Sequence, residues 1–434
     1  MSFLKVIHSD EINEETISRY IPRTITQLDF IKDKVIEILK KVKDEGDEAL
    51  IKYTMDFDNV NLSKSQIRVT KNEISDAYKA IDPKLLNAIK KAKENLIKFN
   101  KAQKRKDWTV EIEEGVVAGQ IYRPIEAIGI YIPGGRAVYP STVLMIAAPA
   151  YVAGVQKIVM CTPPRLDKKI APVILVAANE CEIKKIYKVG GAQAIAAMAY
   201  GTDSIPKVQK VVGPGNIWVN AAKQLLSNII AIDAPAGPSE ILIICDKFAD
   251  SNYIIADLIS QIEHDPDNVG IIVTDSEDVI SQIKDKIQEY VSSSKRINII
   301  EKALKDNSII IKGENLEDCI RISNIIAPEH LEILTANPHE IIKKVRNAGA
   351  IFMGPYSPVS LGDYCAGTNH ILPTGGSAKI YSGLTLHDFL KTIDVLKCEK
   401  EGLESLSENA IKLAEFEGFY GHKRSIEERL KDKD

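Results

Sequence analysis

Histidine is scarce in this chain, seven in 434 residues, so an imidazole close to other donors stands out. Gln261-Ile262-Glu263-His264 closes a helical stretch that begins near Asn252. A spacing of three places Gln261 and His264 on one helical face, close enough to share a ligand. Imidazole nitrogen and amide oxygen can both bind zinc, the amide less commonly. Glu329-His330 follows the apolar run Ile320–Ile326 and precedes a strand-like run. A carboxylate beside an imidazole offers two groups of different proton affinity, which suits acid–base work near neutral pH. Gly362-Asp363-Tyr364 and Gly367-Thr368-Asn369-His370 form a polar, glycine-rich segment with a further carboxylate and imidazole. Glu417 and His422 flank Gly418 and Gly421 between two charged helical stretches. Taken singly, each pattern is also what a cap or turn uses. Spacing alone does not assemble a metal site from donors so far apart.

Two turns have the character of cofactor loops. Gly213-Pro214-Gly215-Asn216 follows a strand and precedes a helix, as a phosphate-binding loop does. It lacks the third glycine of G-x-G-x-x-G. Tyr131-Ile132-Pro133-Gly134-Gly135 is the second turn, and it reads equally well as a tight turn between sheets.

These side chains are carried by alternating elements. From Thr26 to about Asn100 the pattern is helical, with Ile31, Val35, Ile38, Leu39 and Val42 on one stripe and Asp44-Glu45-Gly46 as a stop. From Val110 onward short apolar runs (Ile128–Ile132, Lys157–Cys161, Lys185–Val189, Lys210–Val212, Ile229–Ile232, Ile241–Cys245, Val269–Thr274) alternate with Ala- and Leu-rich helical stretches. That alternation predicts α/β layering with mostly parallel strands. After Gly383 two charged amphipathic helices, Glu404–Phe416 and Gly421–Lys431, are too short to form a core alone and need another surface.

Lys and Arg number 56 against 60 Asp and Glu, a balance that argues against a nucleic-acid binder. Six scattered cysteines with no C-x-x-C pair read as reduced thiols. The first residues lack the apolar core of a signal peptide, and no apolar run reaches the ~18 residues of a membrane span. A cytoplasmic protein is expected.

Several blocks together resemble the histidinol dehydrogenase family: Tyr131–Gly135, Gly190-Gly191-Ala192-Gln193-Ala194, Val212–Asn216, Ile232-Asp233-Ala234-Pro235-Ala236-Gly237-Pro238-Ser239-Glu240 running on to Ser260–His264, Ala327–Leu331, and Gly367–Thr374. They occur in family order, and the resemblance covers nearly the whole chain. It implies an α/β fold of two incomplete Rossmann-like domains with small terminal appendages. The divisions would be 1–25, then 26–130 with 239–383, then 131–238, and finally 384–434. It implies one zinc ion per subunit held by Gln261, His264, Asp363 and His422, the last from the partner in a homodimer. It implies Glu329 and His330 as the acid–base pair and a pocket for L-histidinol lined by Ser239, Gln261, His264, His330, Asp363, His370, Glu417 and His422. Tyr131, Gln193 and Asn216 would lie near NAD.

The implied reaction takes an amino alcohol to an amino acid with two equivalents of NAD. His330 would accept the hydroxyl proton, Glu329 would activate water at the aldehyde stage, and zinc would act chiefly as a template. The rival readings are a related zinc- and NAD-dependent dehydrogenase of another polar alcohol, and a zinc metallohydrolase.

Overall fold

In a computed structural model of the chain, the structure describes residues 4–21, 28–134, 138–234 and 237–431. Gly135, Pro235 and Ala236 of the blocks named above lie outside the described residues.

Two parallel sheets organise the chain. The five-stranded sheet is built from Ala127–Tyr131, Lys157–Thr162, Lys185–Lys188, Lys210–Val212 and Ala231–Ile232. Counted along the chain, its order is 3-2-1-4-5. The six-stranded sheet repeats that order with Glu240–Cys245, Val269–Thr274, Ser308–Lys312, His330–Leu334 and Ala350–Met353, and Lys5–His8 is added beside Ser308–Lys312. In both sheets the order reverses beside the first strand, which opens a crevice at that point.

Both sheets are covered by helices on two faces, so their strands are apolar throughout rather than alternating. In Glu240–Cys245, Ile241 and Ile243 face one helical layer while Leu242 and Ile244 face the other. Each of these four is fully buried, worth roughly 1.5–3 kcal/mol apiece relative to exposure. In the five-stranded sheet, Ile128 and Ile130 contribute to one core, and Ala127 and Tyr131 to the other. The six cysteines form no disulfide. Among the described residues no helix is long and apolar enough to cross a membrane.

The segment 26–130, expected to share a body with 239–383, packs elsewhere. Its helices Leu28–Glu45, Asp47–Asp58, Lys71–Ala80 and Pro83–Ala102 bury Val35, Leu39, Leu50, Ile89 and Leu96 in the two cores of the five-stranded sheet. The amino-terminal strand joins the other sheet. An apolar stripe predicts that a helix is buried but carries no label for the sheet that buries it.

The region after Gly383 holds a strand that the sequence reading passed over. Leu390–Cys398 pairs antiparallel with Val116–Pro124, which also pairs with Trp108–Glu113. Most of Leu390–Cys398 is exposed, so its apolar residues lack the buried periodicity that marks a strand. The terminal helices, Lys400–Phe416 and Tyr420–Leu430, pack chiefly on each other.

Candidate active site

Glu329 and His330 stand where helix Leu316–Ile326 turns into strand His330–Leu334. Ala327 ends that helix in the left-handed region, φ 53°, which reverses the chain and points the next residues into the sheet edge. Both side chains are buried. The backbone of Glu240, on the neighbouring strand, holds the pair. Its N–H donates to Glu329 Oε2 at 2.8 Å, and its carbonyl lies 3.1 Å from His330 Nδ1. A carbonyl can only accept, so Nδ1 carries a proton, and Nε2 presents a lone pair when the ring is neutral. That Nε2 has no hydrogen-bond partner, and it lies 3.6 Å from Asp363 Oδ1.

The charges shift accordingly. Burial pushes Glu329 up to about 7, against the attraction of His330. Burial opposes charge on His330 as well, but the carboxylates of Glu329 and Asp363 outweigh it and raise the imidazole to about 9. Burial also opposes the charge on Asp363, and its contact with His330, helped by the nearby His370 and His264, wins and holds it below the usual carboxylate range.

Gln261 is buried in the last turn of helix Ser251–Ile262. The helix stops at Ile262, two residues before His264, so the two are not on one continuous helix. The His264 ring folds back instead, with Nδ1 3.2 Å from the Gln261 carbonyl. The buried Asn268 supports both sides of this corner. Its amide donates to the Gln261 carbonyl at 2.8 Å, and its Oδ1 accepts from the Ser239 N–H at 3.1 Å. Asn268 is a site-shaping residue that the sequence reading missed, since an asparagine after Asp-Pro-Asp reads as turn chemistry.

His370 has both ring nitrogens engaged. Nδ1 lies 2.9 Å from the Asp363 carbonyl, and Nε2 lies 3.1 Å from Thr142 Oγ1. Burial holds its pKa below the ordinary value, so it is neutral and accepts from Thr142. Thr142 sits in the first turn of helix Pro140–Ala153, which follows the strand ending at Tyr131. Asn369 makes a second bridge to this helix, through the Met145 carbonyl at 2.7 Å. The amino edge of the six-stranded sheet, with Glu240 and His330, is therefore tied to the carboxyl edge of the five-stranded sheet.

That carboxyl edge gathers Tyr131, Gln193 and Gly213-Pro214-Gly215-Asn216. The Tyr131 hydroxyl accepts from the Gly191 N–H at 3.0 Å, and burial pushes the phenol up to about 12. Gln193 is buried with neither amide atom hydrogen-bonded. Asn216 caps helix Ile217–Leu225, its Oδ1 accepting from Trp218 and Val219. Gly213 adopts φ +128°, and a Cβ there would stand 2.1 Å from the Tyr131 carbonyl oxygen, so no other residue fits.

Two of the expected site residues lie apart from this cluster. Glu417 and His422 are exposed on the terminal helices, with the His422 ring 5.3 Å from Phe419. Among the described residues no group of three or more His, Cys, Asp or Glu is arranged to hold a metal. His264 and Asp363 are two of the four expected donors, Gln261 supplies an amide, and His422 is elsewhere.

The profile of the histidinol dehydrogenase family matches residues 21–430. Histidinol dehydrogenase of Methanothermobacter thermautotrophicus is 44% identical over 422 residues, 97% of this chain and 99% of that protein. The Methanocaldococcus jannaschii histidinol dehydrogenase is 47% identical over 423 residues, 97% of each. The crystal structure of histidinol dehydrogenase from Elizabethkingia anophelis superposes with a TM-score of 0.95 at 40% identity, covering 99% of this chain and 98% of that one. With the family profile over most of its length, these relatives and the same fold, the chain belongs to the histidinol dehydrogenase family.

Proposed function

We propose that the protein is a zinc-dependent L-histidinol dehydrogenase, which oxidises L-histidinol through L-histidinal to L-histidine with two NAD and works as a homodimer. The observation that carries this reading is the meeting of the two sheet edges. An acid–base pair on one edge lies within a hydrogen-bonded bridge, Thr142 to His370, of the glycine-rich loops on the other.

Gln261, His264 and Asp363 would hold the zinc, with His422 of a second copy completing the set. The donors fit the ion in kind. Amide oxygen, imidazole and carboxylate form a mixed N/O set, Asp363 is favoured as its anion, and the orphaned His330 Nε2 borders it. When bound, zinc supplies a template for the amine and imidazole of the substrate, and NAD supplies the hydride acceptor.

The chain's own groups handle protons and water. His330, its Nδ1–H fixed on the Glu240 carbonyl, takes the hydroxyl proton at Nε2 during the first oxidation, acting in its neutral form. Glu329, poised near neutrality, deprotonates the water that adds to the aldehyde. Once that first proton has passed to solvent, His330 takes the hydroxyl proton of the hydrated aldehyde in the second oxidation. Tyr131, Gln193 and Asn216 bind the dinucleotide, and Ser239, His370 and the partner-borne Glu417 line the substrate pocket. Leu413, Phe416, Phe419 and Tyr420 around the terminal helices are exposed, which supports contact with a second copy.

Absorbance of NADH on adding histidinol and NAD to zinc-replete protein tests the reading. Two NADH and one histidine per histidinol are expected. A single NADH per turnover, or oxidation of another polar alcohol but not histidinol, overturns it.

A further inference from the structure

Asp233 lies in the block that resembles the family signature, yet none of the roles above uses it. It forms a buried ion pair with Lys223, Nζ to Oδ1 at 2.6 Å, each side chain only 5% exposed. Both partners also grip one residue of the glycine-rich loop. Asp233 Oδ2 accepts from the Gly213 N–H at 2.7 Å, and Lys223 Nζ donates to the Gly213 carbonyl. Gly213 thus has both backbone polar groups held by the two halves of one salt bridge.

The placement joins three pieces of chain. Gly213 follows strand Lys210–Val212, Lys223 lies on helix Ile217–Leu225, and Asp233 follows strand Ala231–Ile232. Across the crevice stands the Tyr131 carbonyl, close enough to exclude any side chain at Gly213. A buried ion pair is a poor stabiliser compared with apolar residues of similar size, because desolvation cancels most of the attraction. What it fixes is conformation, and here the fixed group is a loop backbone at the point where the strand order reverses, the crevice in which such folds bind ligands.

We propose that Lys223 and Asp233 are positioning residues for dinucleotide binding: they clamp Gly213 so that Gly213–Asn216 and the start of the following helix are preset for the cofactor's phosphates. The inference rests on the reading of this edge as the dinucleotide site. Preset backbone donors lose no ordering entropy on binding, so the clamp acts on cofactor affinity and leaves the proton chemistry at His330 alone.

The test is NADH binding to the full-length protein, followed by energy transfer from tryptophan; one of the chain's two tryptophans, Trp218, is in the helix that the loop opens. The double variant Lys223→Met/Asp233→Leu removes both charges together and leaves no lone buried ion. It is expected to bind NADH about tenfold more weakly, with KM for NAD raised in step and KM for histidinol unchanged. Asp233→Asn, which keeps an acceptor for the Gly213 N–H, should retain part of the affinity. Undiminished NADH affinity in the folded double variant, or a parallel rise in KM for histidinol, overturns the proposal. If the double variant does not fold, the NADH affinity of Asp233→Asn decides on the same terms.

Asn216→Asp separates the clamp from the underlying reading. Aspartate caps a helix as well as asparagine but brings a negative charge to the expected phosphate position. Weakened NADH binding there, with an unaffected double variant, would reject the clamp alone. Unchanged binding in both would reject this edge as the dinucleotide site.

Discussion

His330 and Asp363 face each other at 3.6 Å, Nε2 to Oδ1, while the opposite ring nitrogen of His330 is held 3.1 Å from the Glu240 carbonyl. The tautomer and direction of this imidazole are thus set by the backbone of a neighbouring strand. Its basicity is set by Glu329 beside it and by an aspartate 33 residues further along the chain.

Substitutions at the pair should separate the two half-reactions. His330→Asn removes the base for both oxidations, and histidinol and histidinal turnover should each fall by ~10²–10⁴-fold. Glu329→Gln should mainly slow histidinal oxidation, where water must be activated. Steady-state rates with each substrate check this, and equal damage by both variants to both half-reactions would contradict the roles.

The pH dependence of stability in metal-free protein follows from the same pair. The imidazole of His330 rises to about 9 from its ordinary 6.5, so its contribution is full below 6.5 and is lost as pH rises through 9. Glu329, raised to about 7 from 4.5, also holds a proton longer in the folded state, so stability falls from 4.5 through 7 as well. Asp363, held low, acts only on the acid side, where protonation removes its contribution. Urea unfolding across pH 5–9 should show declining stability, with a flatter slope above pH 7 in His330→Asn. A wild-type slope in that variant would show that the imidazole is not the group responsible.

Metal dependence should pass through Asn268. Chelation is expected to abolish turnover and added zinc to restore it. Asn268→Ala leaves the Ser239 N–H without its partner and the Gln261 carbonyl with His264 alone, costing roughly 1–3 kcal/mol of stability. Losing a group that orients ligands typically weakens metal binding by ~10–100-fold. Zinc competition with a chelator measures that second effect, and unchanged zinc affinity in the destabilised variant would reduce Asn268 to a structural role.

Complementation addresses the assembly. Subunits with His422→Ala and subunits with His264→Ala should each be inactive. After exchange, about half of the dimers are heterodimers, each with one site that draws His264 from one chain and His422 from the other. Recovered activity should approach roughly a quarter of wild type if the sites are independent. No recovery, with exchange verified by mass, would mean that the site is not shared between subunits.

Much of the fold was legible in the sequence because burial leaves a mark on every element. Apolar runs such as Ile241–Cys245 and Val269–Thr274 coincide with strands to within a residue. Glycine or asparagine ends several helices where the backbone turns left-handed, as at Asn59 and Gly154. The alternation of these pieces also implied parallel α/β layering. Glu329-His330 and the loop from Gly362 to His370 could be picked out as chemical groups for the same local reason, since residue type and neighbours are enough to nominate them.

Which pieces meet was decided only in three dimensions. The stripe on Leu28–Glu45 does not say which sheet it covers, and Leu390–Cys398, exposed along most of its length, carries no period that reveals its partner. The spacing of Gln261 and His264 implied a shared helix face, but the helix ends two residues before His264, and a backbone carbonyl lies against the imidazole. Thr142 and His370 are 228 residues apart, and their hydrogen bond fastens one sheet's amino edge to the other's carboxyl edge. Local sequence fixes periodicity and side-chain chemistry over a few turns. Long-range pairing depends on how whole layers bury one another, and that balance is spread over dozens of side chains, with no single motif to record it.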